Sequence, residues 1–367
     1  MRGSLPRTTG GNTVYRRVAV GDDHALGATL EGVARGLARR GVEVVRLPAL
    51  PAPALTRYDP PGDIDVVVIS SRTVLSPAAL RAATRLRGVV FPSIGTGSCD
   101  SDAATALGIL VANGATRENV HSMAEANVLL MLALLYELPL KQARFREQWA
   151  GAAPVTSRTL RGRTLGFVGF GRISQRMTEL LAPWQVGAVL AHTRSPDPAA
   201  WPDVRFTTVE EVLRGSDVVV VNLPYSPHTR GMLGRDRLAL LRPGAVLVNA
   251  ARGGIADEDA LAELLALGRI AGAAVDTFAV EPPPPDSALR AAPNAILTNH
   301  VAGHTVEMFD SFVGNAVESV LALLDGRPPE HVVNPDCLPA WYARVAAIRG
   351  DLPGPPPTTP TASKDQP

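Results

Sequence analysis

Three stretches of this chain each carry a side chain suited to acid-base or anion chemistry, and each follows an apolar run of strand length. In Leu297–Thr305 (LTNHVAGHT) the group is His300, and an imidazole both gives and takes a proton at a hydroxyl-bearing carbon near neutral pH. In Val275–Pro285 (VDTFAVEPPPP) Glu281 precedes a run of prolines that stiffens its loop. A carboxylate bonded to the far ring nitrogen would fix the imidazole tautomer and stabilise its cation. In Val248–Asp257 (VNAARGGIAD) Arg252 stands in a glycine-bounded loop, where a guanidinium could hold a carboxylate and polarise the neighbouring carbonyl. Taken singly, such residues are more often solvated or structural. In order, after successive strands of one sheet, they describe a site for proton transfer on a small acid, at the edge where such sheets bind ligands.

A fourth stretch concerns phosphate. Thr164–Ser174 (TLGFVGFGRIS) runs from an apolar strand through Gly169 and Gly171 into a helix opening near Arg172. Gly169 permits the tight turn, and Gly171 lets a pyrophosphate approach the amides at the positive helix end. Ser174 takes the place of the usual third glycine. The next strand, Val186–His192, ends in Thr193, Arg194 and Ser195, with no acid to bond a ribose 2′-hydroxyl. An arginine there pairs with a 2′-phosphate, which favours NADP(H), with NAD(H) the alternative.

The elements needed to present these groups are legible as alternating runs. Strands are expected at Arg17–Gly21, Val42–Leu47, Asp65–Ser70, Val89–Pro92 and Ile109–Ala112, with helices at Thr29–Arg39, Pro77–Arg85 and Asp102–Leu107. A second series places six strands at Thr164–Gly169, Ala188–His192, Val218–Asn222, Ala245–Asn249, Gly272–Val275 and Ala295–Thr298. Between the two series lies Ser122–Leu138, so apolar that burial on most sides is expected. A helix at Thr305–Asp325 follows the second series and is expected to return to the first domain. The fold class is therefore α/β, with two doubly wound parallel-sheet domains. Residues 13–118 and 304–335 form a discontinuous domain, residues 119–303 the inserted nucleotide-binding one, and residues 1–12 and 350–367 are expected to be disordered tails. Leu338–Ile348 is expected as a helix of unassigned role.

Composition sets limits on partners. With 46% hydrophobic and 19% charged residues the chain can bury a sizeable core, and a net charge of +1 without a basic block leaves nucleic acid binding without an electrostatic footprint. Cys99 and Cys337 lack the spacing of a structural zinc site, so no metal is expected and both read as isolated thiols. The longest apolar run, Val128–Leu135, is far short of the roughly 20 residues of a membrane span. A cytoplasmic location is expected by default.

The stretches VNAARGGIADEDAL, GAAVDTFAVEPPP and LTNHVAGHT resemble, in order and spacing, the signature regions of the D-isomer-specific 2-hydroxyacid dehydrogenases, a group that includes phosphoglycerate dehydrogenase and the glyoxylate and hydroxypyruvate reductases. The resemblance continues through GFGRIS, NGATRENVHSMAEANVLLML and IGTGSCDSDAATALGI and covers about Val66–Leu324. It implies a Rossmann nucleotide-binding domain inserted in a flavodoxin-like substrate domain, and hydride transfer between a nicotinamide cofactor and a small anionic 2-oxo or 2-hydroxy acid. His300 is implied as acid/base, Glu281 as its orienting partner and Arg252 as the binder of carboxylate and carbonyl. Backbone amides around Gly95, Thr96 and Gly97 are implied at the substrate carboxylate, Thr96 also at the cofactor. Arg172 and Ile173 are implied at the pyrophosphate and Thr193 with Arg194 at the adenosine ribose. Pro224, Ala250, Asp276 and Gly303 are implied around the rest of the cofactor, Asp276 near the nicotinamide amide, and a homodimer through the nucleotide-binding domains is implied as well. Ser174, Asn299 before the histidine, and a loop Gly95–Ala103 about two residues short depart from the family pattern.

Two other readings compete. A formate or phosphonate dehydrogenase shares this architecture, but formate enzymes of the family carry glutamine where Glu281 stands. A dinucleotide-sensing corepressor would bind without turnover. Arg72, in the loop SSRTVLS, could meet a distal anionic group of the substrate, as a phosphate or second carboxylate.

Overall fold

The structure, a computed structural model, describes residues 16–23, 26–49, 56–57, 62–146 and 155–350. It divides into two units, Met1–Thr116 with Val306–Pro367, and Arg117–Thr305.

The first unit opens with β1 (Arg17–Asp22), α1 (Gly27–Ala38), β2 (Glu43–Ala49), β3 (Thr56–Arg57), β4 (Val66–Val68), β5 (Thr73–Val74), α2 (Pro77–Ala82), β6 (Gly88–Val90), α3 (Ser101–Ala106) and β7 (Leu110–Ala112). Five strands form one parallel sheet in the order β2-β1-β4-β6-β7, while β3 and β5 pair separately. Helices on both faces leave the central strands no wet side, which is why Val18–Val20 and Val66–Val68 are wholly buried and read as unbroken apolar runs. Short helices start where a side chain satisfies their amides: Ser76 accepts from Ala79 N at 3.1 Å and Asp100 from Ala103 N at 2.8 Å.

The second unit comprises α4 (Arg117–Leu135), α5 (Leu138–Arg146), β8 (Thr164–Val168), α6 (Arg172–Leu181), β9 (Ala188–His192), β10 (Val204–Phe206), α7 (Val209–Gly215), β11 (Val218–Val221), α8 (Arg235–Leu238), β12 (Val246–Asn249), α9 (Glu258–Ala266), β13 (Gly272–Val275) and β14 (Ala295–Leu297). Its parallel sheet runs β10-β9-β8-β11-β12-β13-β14, so the strand order reverses between β8 and β11. Seven strands replace the six expected. The addition, β10, is three residues long with Arg205 exposed, too short to display a period. The apolar helix α4 also differs from expectation: it starts at Arg117, and it buries one face while leaving Leu129 65% exposed. The helix α5 was not expected at all, because Leu138–Arg146 buries no side chain and so carries no amphipathic signal. No single helix among the described residues is long and apolar enough to cross a membrane.

The chain ends in α10 (Val306–Asp325) and α11 (Leu338–Arg349), both in the first unit. Along α10, Met308, Phe312, Ala316, Val320 and Leu323 are buried at helical spacing. In α11 the indole of Trp341 is fully buried and donates to Arg87 O at 2.8 Å, while Arg344 donates to Leu86 O and Ala83 O at 2.7 and 2.8 Å. The first unit thus extends beyond residue 335, the end expected from the sequence. Gly350 closes α11 at φ +75°. The tails expected at 1–12 and 350–367 lie, Gly350 apart, outside the described residues. Trp341→Ala removes both the packing and the indole bond, and is expected to cost about 3–5 kcal/mol, read as a lowered urea midpoint for the first unit. An unchanged midpoint would mean that α11 contributes nothing to that core.

Candidate active site

Glu281 and His300 meet in the second unit. His300 Nδ1 lies 3.0 Å from Glu281 Oε2 and 3.2 Å from Oε1, and Glu281 Oε1 also accepts from Phe278 N at 3.0 Å. Because a carboxylate only accepts, the Nδ1 proton is the one shared, and Nε2 across the ring is left to exchange protons elsewhere. Burial pushes the Glu281 carboxyl up, but the bond from His300, the Phe278 N–H and the charges of His300 and Arg252 outweigh it and hold the group below the usual carboxylate range. Both side chains stay partly open, at 45% and 40% exposure, so a small molecule can reach them.

Asp276 determines where His300 stands. It follows β13, it is buried, and its Oδ1 accepts from Thr298 Oγ1 at 2.6 Å, Val301 N at 2.9 Å and Ala302 N at 3.1 Å. Its carbonyl accepts from His300 N at 2.8 Å. Four bonds to one residue hold the segment after β14 in a tight bend, with His300 itself at φ +63°. A left-handed conformation costs a β-carbon residue on the order of 1–3 kcal/mol, and the surrounding bonds offset that cost.

Arg252 is placed by the end of β12. Asn249, buried as the last residue of that strand, accepts from Ala251 N at 3.3 Å and donates to Arg252 O at 3.4 Å. Gly253 then presses so closely on the Phe278 carbonyl that any β-carbon would overlap it, which brings the arginine loop against the loop that carries Glu281. Burial lowers the Arg252 pKa while Glu281 pulls it back up, and the guanidinium remains a cation. Ala279 N donates to Glu258 Oε1 at 2.6 Å, tying the same loop to the start of α9.

The turn after β8 fits a dinucleotide. Gly169 adopts φ +101°, and a β-carbon there would strike Asn222 O. Gly171 caps α6 without a side-chain bond and has open space where its β-carbon would be. The first amides of α6 are therefore presented for an anion such as pyrophosphate. Arg172 is exposed in the first turn, and Ile173 packs on the core below. Thr193 is half-buried and Arg194 exposed beyond β9, Pro224 is exposed beyond β11, and Ala250 and Gly303 are buried, Gly303 against Met123.

The remaining residues expected at the site belong to the first unit. Arg72 lies in the turn after β4, its N–H bonded to Ser70 Oγ at 3.1 Å. Gly95, Thr96 and Gly97 form the loop after β6, where Ser93 Oγ donates to Gly95 O at 3.2 Å and Cys99 N to Thr96 O at 3.0 Å. Thr298, Asn249 and Glu258 were not singled out from the sequence. Each is a polar residue at a strand or helix end, and only the fold shows what it bonds. Among the described residues no cluster of His, Cys, Asp or Glu could hold a metal ion.

Residues 128–302 match the family described as D-isomer specific 2-hydroxyacid dehydrogenase, NAD binding domain. The chain is 34% identical over 273 residues to D-3-phosphoglycerate dehydrogenase of Mycobacterium tuberculosis, covering 74% of this chain and 51% of that protein. With the enzyme of the same name from Bacillus subtilis the identity is 33% over 275 residues, 74% and 51% of the two chains. The chain spans about half the length of these curated relatives. Among solved structures, the TT0316 protein of Thermus thermophilus superposes with a TM-score of 0.74 at 30% identity, over 86% of this chain and 99% of that one. The NADPH-dependent glyoxylate/hydroxypyruvate reductase of Sinorhizobium meliloti gives 0.74 at 28% identity, over 87% and 98%.

The depressed Glu281 carboxyl has a consequence for stability. A folded pKa below the unfolded one contributes stability that is present above the ordinary glutamate range and lost as pH falls through the folded value. The Tm difference between the natural protein and Glu281→Gln should therefore be present at neutral pH and shrink below that range. A difference that stays constant into strong acid would show that the carboxylate is not held down.

Proposed function

Because the chain belongs to the D-isomer specific 2-hydroxyacid dehydrogenases, we propose that it is a nicotinamide-dependent oxidoreductase acting on a small 2-oxo or 2-hydroxy acid, D-specific in its alcohol. The observation that carries this reading is the His300–Glu281 pair, with the Arg252 loop packed against the loop of Glu281. The dinucleotide, when bound at the Gly169–Arg172 turn, supplies or accepts the hydride. His300 Nε2 gives a proton to the carbonyl oxygen in reduction and takes one from the hydroxyl in oxidation. Glu281, anionic at neutral pH, stabilises the imidazolium and keeps the Nδ1 proton in place. Arg252 pairs with the substrate carboxylate and polarises the adjoining carbonyl.

NADP(H) is the proposed cofactor. The support is Arg194 and the lack of any acid in Thr193–Ser195 after β9, together with the NADPH dependence of the reductase from Sinorhizobium meliloti. A homodimer is proposed through α4 and α5. Leu129, Tyr136, Leu138, Leu140 and Phe145 stand exposed there, an apolar surface of the kind that pairs.

A spectrophotometric screen of 2-oxo acids, phosphorylated ones included, with NADPH and with NADH tests the reading directly. His300→Gln should lower kcat by about 10²- to 10⁴-fold and leave NADPH affinity within about twofold. A variant of near-natural rate would remove His300 from the chemistry. Arg194→Ala should raise KM for NADPH about tenfold and hardly change that for NADH. Equal effects on both would overturn the 2′-phosphate assignment.

A further inference from the structure

Ser174 stands where the family pattern has a third glycine, and the fold gives its hydroxyl two partners. The side chain is fully buried in the first turns of α6. Its Oγ donates to Gly169 O at 2.7 Å and accepts from Asn222 Nδ2 at 3.0 Å. A serine hydroxyl has one proton and a carbonyl can only accept, so the direction is forced: Asn222 to Ser174 to Gly169. Asn222 directly follows β11 and Gly169 directly follows β8, the two strands between which the sheet order reverses. The relay therefore crosses the crevice at which dinucleotides bind in such sheets.

The Gly169 carbonyl shares a rigid trans peptide with the Phe170 N–H, and the two point in opposite directions. Drawing that oxygen toward Ser174 turns the Phe170 N–H away from Ser174. The Phe170 ring is locked below by Trp201 and Phe206, with centroids 5.3 and 5.4 Å away. We propose that Ser174, relayed from Asn222, is a positioning residue for the cofactor: its hydroxyl holds the Gly169–Phe170 peptide with its N–H aimed at the pyrophosphate. The proposal rests on the dehydrogenase reading above and adds to it a residue that a smallness requirement alone would treat as a tolerated substitute for glycine.

Ser174→Gly supplies the residue common at this position and so keeps the fold, yet removes the hydroxyl; Ser174→Ala does the same with a β-carbon. Fluorescence titration with NADPH should show Kd raised about tenfold in both variants. At saturating cofactor, kcat and the KM of the 2-oxo acid should stay within about twofold of the natural protein, and Tm without cofactor should fall modestly, because two buried hydrogen bonds are lost. Asn222→Ala should weaken NADPH in the same direction, and adding it to Ser174→Ala should cost little more, because both break one relay. NADPH binding by Ser174→Gly as tight as natural would overturn the proposal, as would a lowered Tm with Kd unchanged. A natural protein that binds neither dinucleotide would overturn this proposal together with the dehydrogenase reading. Natural binding with unaltered variants would remove only the serine's role.

Discussion

One carboxylate oxygen, Asp276 Oδ1, gathers hydrogen bonds from Thr298, Val301 and Ala302, and the candidate chemistry depends on that convergence. An imidazole is useful as an acid only where its ring is pinned, and the backbone of His300 is in a conformation that a side chain ordinarily avoids. Buried alone, the Asp276 carboxylate would be costly. With three donors on one oxygen, it becomes a fixed point from which the bend after β14 is built. Glu281 then needs only to reach the ring from the neighbouring loop.

The sheet explains why these loops are neighbours. Asn249, Asp276 and Thr298 occur at or just beyond the carboxyl ends of β12, β13 and β14, three adjacent parallel strands. Parallel strands with helical crossovers deliver successive loops to one edge, so residues far apart in the chain become a row. Gly253 closes the remaining gap by what it lacks, since any side chain there would push the arginine loop off the Phe278 carbonyl.

Much of this is legible in the sequence, for a physical reason. Buried parallel strands must be apolar throughout, and runs such as Val66–Val68 and Val218–Val221 declare themselves. Segments without that pressure were missed: β10 is too short to show a period, and α5 has no buried face. His300, Glu281 and Arg252 were legible because their side chains have few other uses in that order. Thr298, Asn249 and the bonding of Ser174 were not, since a hydroxyl or amide takes its meaning from whichever atom the fold sets beside it. Asp276 stood between these cases, implied near the cofactor by the resemblance alone and seen in the structure as the anchor of the histidine bend.

The first unit is interrupted: α10 and α11, with the buried Trp341, complete its core only after the entire second unit has been made. On the ribosome its five-stranded sheet lacks one helical cover while the second unit is synthesised between the two halves of the first. Once formed, that insert clasps its own two ends, Ser122 Oγ and Thr305 Oγ1 lying 2.8 Å apart, and so returns the chain close to where it left. A long and entropically expensive closure becomes a short one, and vectorial synthesis imposes an order, inserted unit before host, that a refolding experiment from denaturant would not have to follow.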